Sequence, residues 1–430
     1  MLNEDQERVM ERAPAPVSGD GANVERVDVS FVLPCLNEVQ CLEPCIGMIW
    51  EALAVLRERQ GLTGEIIVAD NGSTDGSQAL AKRLGARVVA VSERGYGAAL
   101  RGGFKAARGR YLVMGDADGS YDFREAPPMI DKLVAGAGLC MGSRFKGGIK
   151  PGAMPWKNRY IGNPILTGIL NLLYGANISD AHCGLRALTH ACFDRLGLTG
   201  AGMEFASEMV IKAALKGEVI VEVPATLSPD LRDRPPHLRP WRDGWRHLRY
   251  LFMLSPFWLF AVPAFAMGGL GASILAVAGW FFLFEPKAPI FFGDYWVILA
   301  ASMVGLSHIA AILSVATLIH GAREGYRRRK TWTLRLSRWV TLETMIVAGL
   351  SAFVVGFTIL TFVLLVWQAR HFGRAASAYP AVLGTLMITL GGQNVLGGFL
   401  LAIVNGNQAR FLEAETVAAV EPDAVRAPVG

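Results

Sequence analysis

Four apolar runs in the C-terminal part of the chain are each long enough to cross a lipid bilayer. A spanning helix needs about 20 consecutive, mostly apolar residues, and we predict spans near residues 257–284, 295–320, 341–367 and 381–404. Charged residues make up only 18% of the 430 residues and the mean hydropathy is +0.33, which argues against a wholly soluble enzyme. The chain is therefore expected to combine a membrane domain with a domain outside the bilayer.

The charges around these runs predict their orientation. The connection between the second and third runs, residues 323–338, is rich in arginine and has Glu324 as its one acidic residue. By the positive-inside rule this loop is cytoplasmic, and an even number of spans returns the tail, residues 405–430, to the same side. Arg370 and Arg374 favour the opposite orientation, but the longer basic run outweighs them.

Polar side chains inside the last runs have a structural explanation. His308, Gln393 and Asn394 lie within predicted spans, and Gly391 and Gly397 lie close to the amide pair. Glycines let helices approach closely. We therefore expect these polar groups to form hydrogen bonds between packed helices.

Two segments flank the domain outside the bilayer. Residues 241–250 interleave aromatic rings with cations immediately before the first apolar run. This composition predicts an amphipathic helix over residues 236–256 in the headgroup region rather than a nucleic-acid site. Residues 1–28 are charged, rich in Ala and Pro, and lack the apolar core of a signal peptide, so we expect a disordered tail and a cytoplasmic domain after it.

Residues 29–235 alternate between strand and helix patterns. We predict strands at 29–34, 65–70, 87–91, 111–114 and 139–142, with helical periodicity over 39–59, from near Thr74, and over 97–108. This alternation is typical of an α/β domain with a mainly parallel sheet covered by helices. In such sheets ligands bind beyond the carboxyl ends of the strands. The six cysteines lack CxxC spacing, which favours reduced, packed thiols over zinc or disulfides.

The fourth predicted strand runs directly into two carboxylates, Asp116 and Asp118. In an extended backbone alternate side chains share a face, so both carboxylates point the same way. Such a pair suits Mg²⁺ or Mn²⁺, which complete their coordination with water and substrate phosphate oxygens. An ordinary polar turn after a strand is the alternative explanation for these two residues alone.

Other strand ends and helix starts carry polar and basic residues. Asp70 and Asn71 follow a strand and could bond to a base or ribose, whereas Asp75 is interpreted as a helix cap. Arg94, followed by a glycine-rich helix start, has the ingredients of a diphosphate site. Further cations after the fourth strand suggest more than one bound phosphate, although each could be a solvated surface charge; they are Arg144, Lys157, Arg159 and Arg186.

Several motifs together resemble family 2 glycosyltransferases. They are residues 33–38 (LPCLNE), 70–75 (DNGSTD), 116–118 (DAD), 142–144 (GSR) and 180–186 (DAHCGLR). Within that family the chain is most similar to the polyprenyl-phosphate glycosyltransferases, over roughly residues 29–260. The resemblance implies a Rossmann-like GT-A domain and an inverting transfer of a hexose, from a nucleotide sugar of the UDP-glucose or GDP-mannose type to a polyprenyl phosphate. It also implies a divalent metal cofactor, Mg²⁺ or Mn²⁺, and a role in cell-envelope glycosylation at a bacterial-type inner membrane.

The resemblance assigns roles by motif. It places Pro34, Asn37, Glu38 and Asp70 in the nucleoside pocket, and Asp116 and Asp118 on the metal of the donor diphosphate. Arg94 is predicted to bind the donor from its own place at a helix start. It implies that Arg144 and Arg159 face the acceptor phosphate and that Arg232 or Arg234 closes over the diphosphate. One departure is Ser120, where many relatives carry Gln, so water would replace a protein ligand of the metal. Which of Arg232 and Arg234 takes the late arginine's role is left open.

A phosphate acceptor needs little help from a base, because its second pKa lies near 6. Glu204 and Glu208, four apart on one helix, are candidate bases by position, but surface carboxylates are the preferred interpretation. Expected partners are the nucleotide sugar, the polyprenyl phosphate lipid and the bilayer; a homo-oligomer is left open. Two alternatives are disfavoured: a processive polysaccharide synthase, because the sequence lacks Gln-x-x-Arg-Trp, and a non-catalytic lipid carrier or flippase, which would not need both aspartates.

Overall fold

The structure is a computed structural model that describes residues 27–232, 240–255, 257–284, 293–323, 340–373, 377–409 and 411. Most of the predicted N-terminal and C-terminal tails, Arg234, Arg374 and nearly all of the basic loop 323–338 lie outside the described residues. The chain divides into two compact units, Met1–Leu254 and Ser255–Gly430.

The first unit is built on an eight-stranded sheet. Its strands are β1 (Val29–Cys35), β2 (Gly64–Asp70), β3 (Arg87–Ala90), β4 (Tyr111–Met114), β5 (Leu139–Ser143), β6 (Gly148–Ile149), β7 (Arg186–Thr189) and β8 (Ile220–Leu227). Their order is β3-β2-β1-β4-β7-β5-β8-β6, and every pairing is parallel except those of β7 with β4 and β5. The prediction of an α/β domain with a mainly parallel sheet is confirmed.

Helices cover both faces of this sheet. They are α1 (Val39–Gln60), α2 (Ser77–Arg83), α3 (Tyr96–Ala106), α4 (Pro127–Val134), the single turn α5 (Arg144–Gly147), α6 (Asn163–Tyr174), α7 (His190–Leu196), α8 (Phe205–Lys216) and α9 (Pro240–Met253). A π-helical turn, Asn158–Gly162, precedes α6. Alternate residues of β4 separate the two cores: Val113 packs on the side of α1 and α4, and Leu112 packs on the side of α3, α6 and α8.

The helix that the sequence placed near Thr74 begins later, at Ser77. Asp75 accepts hydrogen bonds from the backbone N–H of Ser77 (3.0 Å) and from that of Val39 (3.1 Å) at the start of α1. These two bonds lower the pKa of Asp75, together with the Ser77 hydroxyl, against the opposing effect of burial. Asp75 therefore ties the first turns of α1 and α2 together, which is a wider role than the single cap that the sequence predicts.

The second unit consists of long apolar helices. They are α10 (Val262–Phe284, preceded by a π-helical turn, Phe257–Ala261), α11 (Asp294–Arg323), α12 (Leu342–Ala369) and α13 (Tyr379–Val404). Each of the four is long and apolar enough to cross a membrane. Helix α1 passes the same test of length and composition, but Leu42, Ile46 and Ile49 on it are buried in the core of the first unit.

Glycines bring α12 and α13 into backbone contact. A Cβ at Gly349 would lie 2.7 Å from the carbonyl oxygen of Gly391, and one at Gly356 would lie 2.6 Å from that of Gly384. The polar side chains bond across the helices, as the sequence predicts. His308 Nδ1 lies 3.1 Å from Gln393 Oε1. The amide of Asn394 donates to the carbonyl of Met345 at 2.8 Å.

Candidate active site

The carboxylate of Asp116 is held from two sides just beyond the end of β4. On one side its Oδ1 accepts a hydrogen bond of 2.9 Å from the hydroxyl of Tyr96, the first residue of α3. On the other side lies Gly184, where an added Cβ would stand 2.5 Å from Asp116 Oδ2. Gly184 is itself fixed, because its N–H donates to the hydroxyl oxygen of Tyr121 at 2.8 Å.

The antiparallel strand β7 explains how Gly184 reaches this place. Met114 pairs with Arg186 in the ladder between β4 and β7. Asp116 follows Met114 by two residues, just past the end of β4, and Gly184 precedes Arg186 by two residues. Because antiparallel partners move in opposite directions along the sequence, the same register brings these two residues opposite each other.

Asp118 is bound by its own loop and by a distant arginine. Its Oδ1 accepts from the backbone N–H of Ser120 (3.0 Å) and from the Ser120 hydroxyl (2.6 Å), and its Oδ2 forms an ion pair with Arg232. The segment that carries Arg232 follows this loop closely, since the N–H of Leu231 donates to the carbonyl of Asp118 at 2.9 Å. The position where many relatives carry Gln thus holds a serine that orients Asp118.

The electrostatics of the site favour a cation. Burial, and then the charge of Asp118, raise the pKa of Asp116. Arg232 supplies positive charge here, but it is shared among several carboxylates. Besides its ion pair with Asp118, it lies 3.4 Å from Glu38 Oε1 and 3.4 Å from Asp230 Oδ2. A carboxylate pair with too little compensating charge is a suitable environment for a bound divalent cation.

The residues fit the metal that the sequence implies. Within the described part of the chain, no group of three or more His, Cys, Asp or Glu side chains is placed to hold a metal ion. Of the described residues, Asp116 and Asp118 are then the ones that would hold the ion, as a pair of carboxylates. Mg²⁺ commonly binds through one or two carboxylates and takes its other ligands from water and substrate phosphates.

The predicted nucleoside residues come together at the carboxyl ends of β1 and β2. Asn37, with a positive φ of 58°, accepts at its side-chain oxygen from the N–H of Thr74 (2.8 Å). Asp70 is almost fully buried, and its carboxylate accepts from the N–H of Gly72 (3.0 Å) and from the amide of Gln78 (2.7 Å). Asp70 therefore shapes the turn beside Asn37, and Pro34 lies in β1 at the same edge.

Arg94 lies against this same turn. Its Nη1 donates to the carbonyl of Asn71 at 2.9 Å, and the side chain of Asn71 accepts from the N–H of Gly95 at 2.7 Å. Gly95 has a φ of +136°, and a Cβ there would collide with the carbonyl oxygen of Ala201 at 2.1 Å. Arg94 is exposed, so its guanidinium stands at the rim of the predicted donor pocket.

The two arginines predicted for the acceptor phosphate have different surroundings. Arg144 is 7% exposed, and its Nε and Nη2 bind the two carboxylate oxygens of Asp180 at 2.6 and 2.7 Å. Against the effect of burial, the interactions with Tyr121 and then with Asp180 raise the pKa of Arg144, and the pairing with Arg144 lowers the pKa of Asp180. Arg159 is half-buried in the π-helical turn, with its guanidinium 5.4 Å from the ring centre of Tyr160.

Two sequence interpretations change. Arg186, predicted to be one of the phosphate-binding cations, is fully buried. It donates to the carbonyls of Cys183 (2.8 Å), Ala181 (2.9 Å) and Ala206, so it cannot bind a phosphate and instead fixes the loop before β7.

Glu208 is neither a surface carboxylate nor a base. It is fully buried, lies 2.7 Å from Lys212 Nζ, and accepts from the N–H of Gly200 at 2.7 Å.

Sequence reasoning missed the residues that hold Asp116, namely Tyr96, Tyr121 and Gly184. Tyr96 stood within the glycine-rich helix start, where only the glycines and Arg94 were interpreted. A signal was present in the sequence, because a tyrosine at a helix start beside a strand-end carboxylate is a natural hydrogen-bond donor to it. Gly184 could be recognised only once β7 was known.

Comparison with known proteins agrees with this architecture. The model of glycosyl transferase family 2 matches residues 30–197, and the model of the family 2 C-terminal transmembrane region matches residues 315–405. The low-salt glycan biosynthesis hexosyltransferase Agl6 of Haloferax volcanii is 34% identical over 87% of this chain and 88% of its own. The chain belongs to the family 2 glycosyltransferases. It is an enzyme of that family and an integral membrane protein.

Two further proteins are more distant. The dolichol-phosphate mannosyltransferase of Pyrococcus furiosus is 29% identical over 60% of this chain and 72% of its own. A crystal structure of glucosyl-3-phosphoglycerate synthase from Mycobacterium tuberculosis, in complex with Mn²⁺, UDP-glucose and phosphoglyceric acid, is 22% identical over 53% of this chain and 79% of that one, with a TM-score of 0.41. The first unit of this chain has a GT-A-like mixed sheet with mostly parallel strands.

Proposed function

We propose that this enzyme transfers a hexose from a nucleotide sugar to a polyprenyl phosphate and inverts the configuration at the transferred carbon. The observation that carries the proposal is the meeting of Asp116, Asp118 and Arg232 beyond β4, in a chain with four apolar helices long enough to span a bilayer. Relatives named as dolichol-phosphate mannosyltransferase and polyprenol monophosphomannose synthase support the choice of acceptor.

In this reaction Asp116 and Asp118 would hold Mg²⁺ or Mn²⁺. When bound, a divalent ion neutralises charge that develops on the leaving diphosphate. Tyr96 and Gly184 keep the Asp116 carboxylate in one orientation, and Ser120 does the same for Asp118. Arg232, already beside Asp118, is placed to bind the diphosphate as well.

The acceptor is a phosphate monoester and is largely ionised at neutral pH. One of its oxygens attacks the anomeric carbon, the bond from that carbon to the nucleotide diphosphate breaks, and the diphosphate leaves with the electron pair. No base is required for this step, in agreement with the buried ion pair that occupies Glu208. Arg144 and Arg159 would hold the acceptor phosphate against repulsion from the donor diphosphate.

We assign the catalytic unit and both termini to the cytoplasmic side of a bacterial-type inner membrane. The support is the basic composition of residues 323–338 together with the four long apolar helices described in the second unit. The product would then form on the cytoplasmic leaflet, where nucleotide sugars are made, and would serve as a membrane-bound sugar donor for envelope glycosylation.

The test is incubation of the purified full chain with a polyprenyl phosphate, a divalent metal and a panel of nucleotide sugars, followed by mass spectrometry of the lipid. The expected result is a lipid heavier by one hexose with one nucleotide sugar, and no such product from Asp116→Asn or Asp118→Asn variants that still fold. A product on a soluble acceptor with none on the lipid would overturn the proposed acceptor. Undiminished product from both variants in a chelator would overturn the proposed metal site.

A further inference from the structure

Glu222 is a buried carboxylate in a strand that is apolar on either side of it. It lies in β8 between Val221 and Val223, and its side chain is 6% exposed. A buried charge is costly unless hydrogen bonds and an opposite charge compensate for the loss of water. The partners of Glu222 therefore show which part of the molecule this residue is placed to hold.

Four donors surround the carboxylate of Glu222. Its Oε1 accepts from the backbone N–H of Ser179 (2.7 Å) and from that of Asp180 (3.2 Å). The hydroxyl of Ser179 lies 3.0 Å from Oε1 and 2.9 Å from Oε2, and Lys146 Nζ lies 2.6 Å from Oε2. Glu222 thus binds the backbone of two consecutive residues in the loop before β7, together with one cation of α5.

The second of these two residues, Asp180, binds Arg144 at three points. Its Oδ2 accepts from the backbone N–H (3.1 Å) and from Nε (2.6 Å) of Arg144, and its Oδ1 accepts from Nη2 (2.7 Å). The hydroxyls of Ser143 and Ser179 lie 2.7 Å apart. Because the single hydroxyl hydrogen of Ser179 is directed to Glu222, Ser143 is the donor of this bond. The loop that Glu222 binds therefore holds both the backbone and the guanidinium of Arg144.

The register of the sheet places Glu222 beside the strand that leads to Arg144. In the parallel ladder between β5 and β8, Glu222 pairs with Met141. Strand β5 ends two residues later, at Ser143, and Arg144 follows. The described residues show no direct bond between Glu222 and Arg144, so the loop at residues 179–180 is the connection between them.

This connection determines which part of Arg144 can face a ligand. Asp180 occupies Nε and Nη2 of the guanidinium, whereas Nη1 makes no hydrogen bond with a described residue. The Nη1 end is therefore the one available to a phosphate oxygen. Because the guanidinium is planar and is held along its opposite edge, a shift of Asp180 would turn the Nη1 end away.

We propose that Glu222 is a positioning residue for the acceptor site, which holds the backbone of Ser179 and Asp180 so that Asp180 orients Arg144 toward the acceptor phosphate. That Arg144 receives this phosphate rests on the proposed function. Glu222 itself touches no substrate in this arrangement. Its ion pair with Lys146 is half-exposed on the lysine side and contributes little, so the bonds to the two backbone N–H groups carry the effect.

The test is a double-mutant cycle on binding of a short-chain polyprenyl phosphate to the purified full chain without nucleotide sugar. Glu222→Ala should weaken this binding by about tenfold, because the two residues are coupled through one hydrogen-bond network. In an Arg144→Lys background the same substitution should cost almost nothing more, since the planar fork that it orients is gone. In an Arg159→Lys background it should again cost about tenfold.

Glu65→Ala is the matched control. Glu65 is the second residue of β2, and Asp70 is at the other end of that strand, at the candidate site. Its Oε1 accepts from the hydroxyl of Ser30 (2.8 Å) and from the N–H of Arg108 (2.8 Å), and its Oε2 pairs with a cation, Arg87, at 2.7 Å. The control removes the same set of bonds far from Arg144, so it should lower the unfolding midpoint and leave phosphate binding unchanged.

Two conservative variants separate position from charge. Glu222→Gln keeps one oxygen that can accept from both N–H groups and should retain most of the binding. Glu222→Asp keeps the charge but withdraws the carboxylate by one methylene, so it should behave like Glu222→Ala. It also replaces Glu222→Ala in the cycle if the alanine variant does not fold.

Hydrogen exchange gives a second readout that needs no ligand. Glu222→Ala should speed amide exchange in residues 179–182 and also in residues 143–147, whereas Glu65→Ala should leave both segments protected. Additive losses of binding in both arginine backgrounds, or unchanged exchange over residues 143–147, would overturn the proposal. Faster exchange in both segments of a protein whose parent binds no polyprenyl phosphate would leave the positioning role standing and count against the proposed acceptor alone.

Discussion

The hydroxyl of Tyr96 donates a 2.9 Å hydrogen bond to Asp116 Oδ1, on the side of the carboxylate away from Gly184. This bond joins the first residue of α3 to the residue that follows β4 and Gly115. A carboxylate that ligates a metal needs such partners, because they fix its orientation before the metal arrives. Asp116 can therefore be disturbed from either side, through Tyr96 or through Gly184.

Tyr96→Phe should weaken binding of the metal to the candidate site. The substitution removes one hydroxyl and leaves the ring, so Asp116 loses its hydrogen bond with little change in packing. Loss of a partner of this kind typically costs about 10- to 100-fold in metal affinity. Titration of the purified protein with Mn²⁺ in the presence of a nucleoside diphosphate measures the change. Tyr295→Phe, at an exposed position of α11, is the control and should bind Mn²⁺ as the unmodified protein does; equal affinity in all three proteins would rule out a role for Tyr96.

Gly184→Ala should displace Asp116 from the other side. The new Cβ would stand 2.5 Å from Asp116 Oδ2, a distance that forces the carboxylate to move. Turnover should fall by about 100-fold if the carboxylate moves by about 1 Å. Gly47→Ala is the matched control, since a Cβ there meets no atom within 4 Å and alanine favours the interior of α1. A rate of transfer unchanged from the parent protein would show that Asp116 tolerates the shift.

Arg144→Lys and Arg159→Lys should both weaken acceptor binding while nucleotide-sugar binding stays constant. Lysine keeps the charge but not the planar fork that can hold two phosphate oxygens. Loss of a charge-assisted hydrogen bond, about 1.5–3 kcal/mol, corresponds to roughly 10- to 100-fold in affinity. Separate titrations with nucleotide sugar and with a short-chain polyprenyl phosphate measure the two affinities.

The same pair of variants should differ in stability. Arg144 is bound at two points by buried Asp180, whereas Arg159 is half-exposed and has a stacked ring beside it. Arg144→Lys should therefore lower the thermal unfolding midpoint, and Arg159→Lys should leave it nearly unchanged.

The binding titrations have their own contradicting outcome. Loss of nucleotide binding in either variant, with acceptor binding intact, would assign that arginine to the donor site.

His182→Phe should make the protein less sensitive to mild acid. Burial, and then the charges of His247 and Arg144, lower the pKa of His182 from 6.5 to about 3, and Arg186 acts in the same direction against Asp180. The unfolded chain takes up this proton below about pH 6.5 and the folded chain does not, so stability falls as the pH drops. Between pH 7 and pH 5 the loss is about 2 kcal/mol.

Thermal unfolding midpoints at pH 7 and pH 5 test this prediction. His182→Phe should show a smaller drop between the two values than the parent protein. Neither ring nitrogen of His182 has a hydrogen-bond partner among the described residues, so phenylalanine removes no bond that the structure shows. Exposed His371→Asn is the control and should keep the full drop. An identical drop in the His182 variant would mean that another group titrates.

The last prediction concerns membrane topology. A cysteine introduced near Arg328 should resist a membrane-impermeant reagent applied to intact cells, and one near Lys287 should react. The basis is the charge of residues 323–338 alone, since both positions lie outside the described residues. The native cysteines are buried and should give little background. The reverse labelling pattern would place the catalytic unit on the external side.

Much of the fold could be predicted because its strands and membrane helices have clear apolar patterns. The patterns for β1, β2 and β4 are continuous apolar stretches between turns, and the four C-terminal helices are long and almost free of charge. Strands β6 and β8 were not predicted, and neither was β7. It has four residues, it begins with Arg186, and it runs against its neighbours. None of these properties gives a periodic signal of its own.

Some residues of the candidate site could be predicted from the sequence and others could not. Asp116 and Asp118 could be found because they follow a strand at a spacing of two. Gly184 could not, since its proximity to Asp116 depends on the register between β4 and β7, which only the paired strands define. The buried state of Arg186 was missed for a related reason. An arginine in a polar motif is interpreted as a ligand until the three carbonyls that bind it are seen.

The glycine contacts between α12 and α13 constrain how the membrane unit can move. The contact of Gly349 with Gly391 and that of Gly356 with Gly384 are seven residues apart on both helices, or about 10.5 Å along each axis. Two points of backbone contact fix a line, so neither helix can roll or swing on the other without lifting one point away. In lipid this contact rests on van der Waals packing rather than on the exclusion of water. A rearrangement of this unit that keeps both contacts would carry α12 and α13 together as one body.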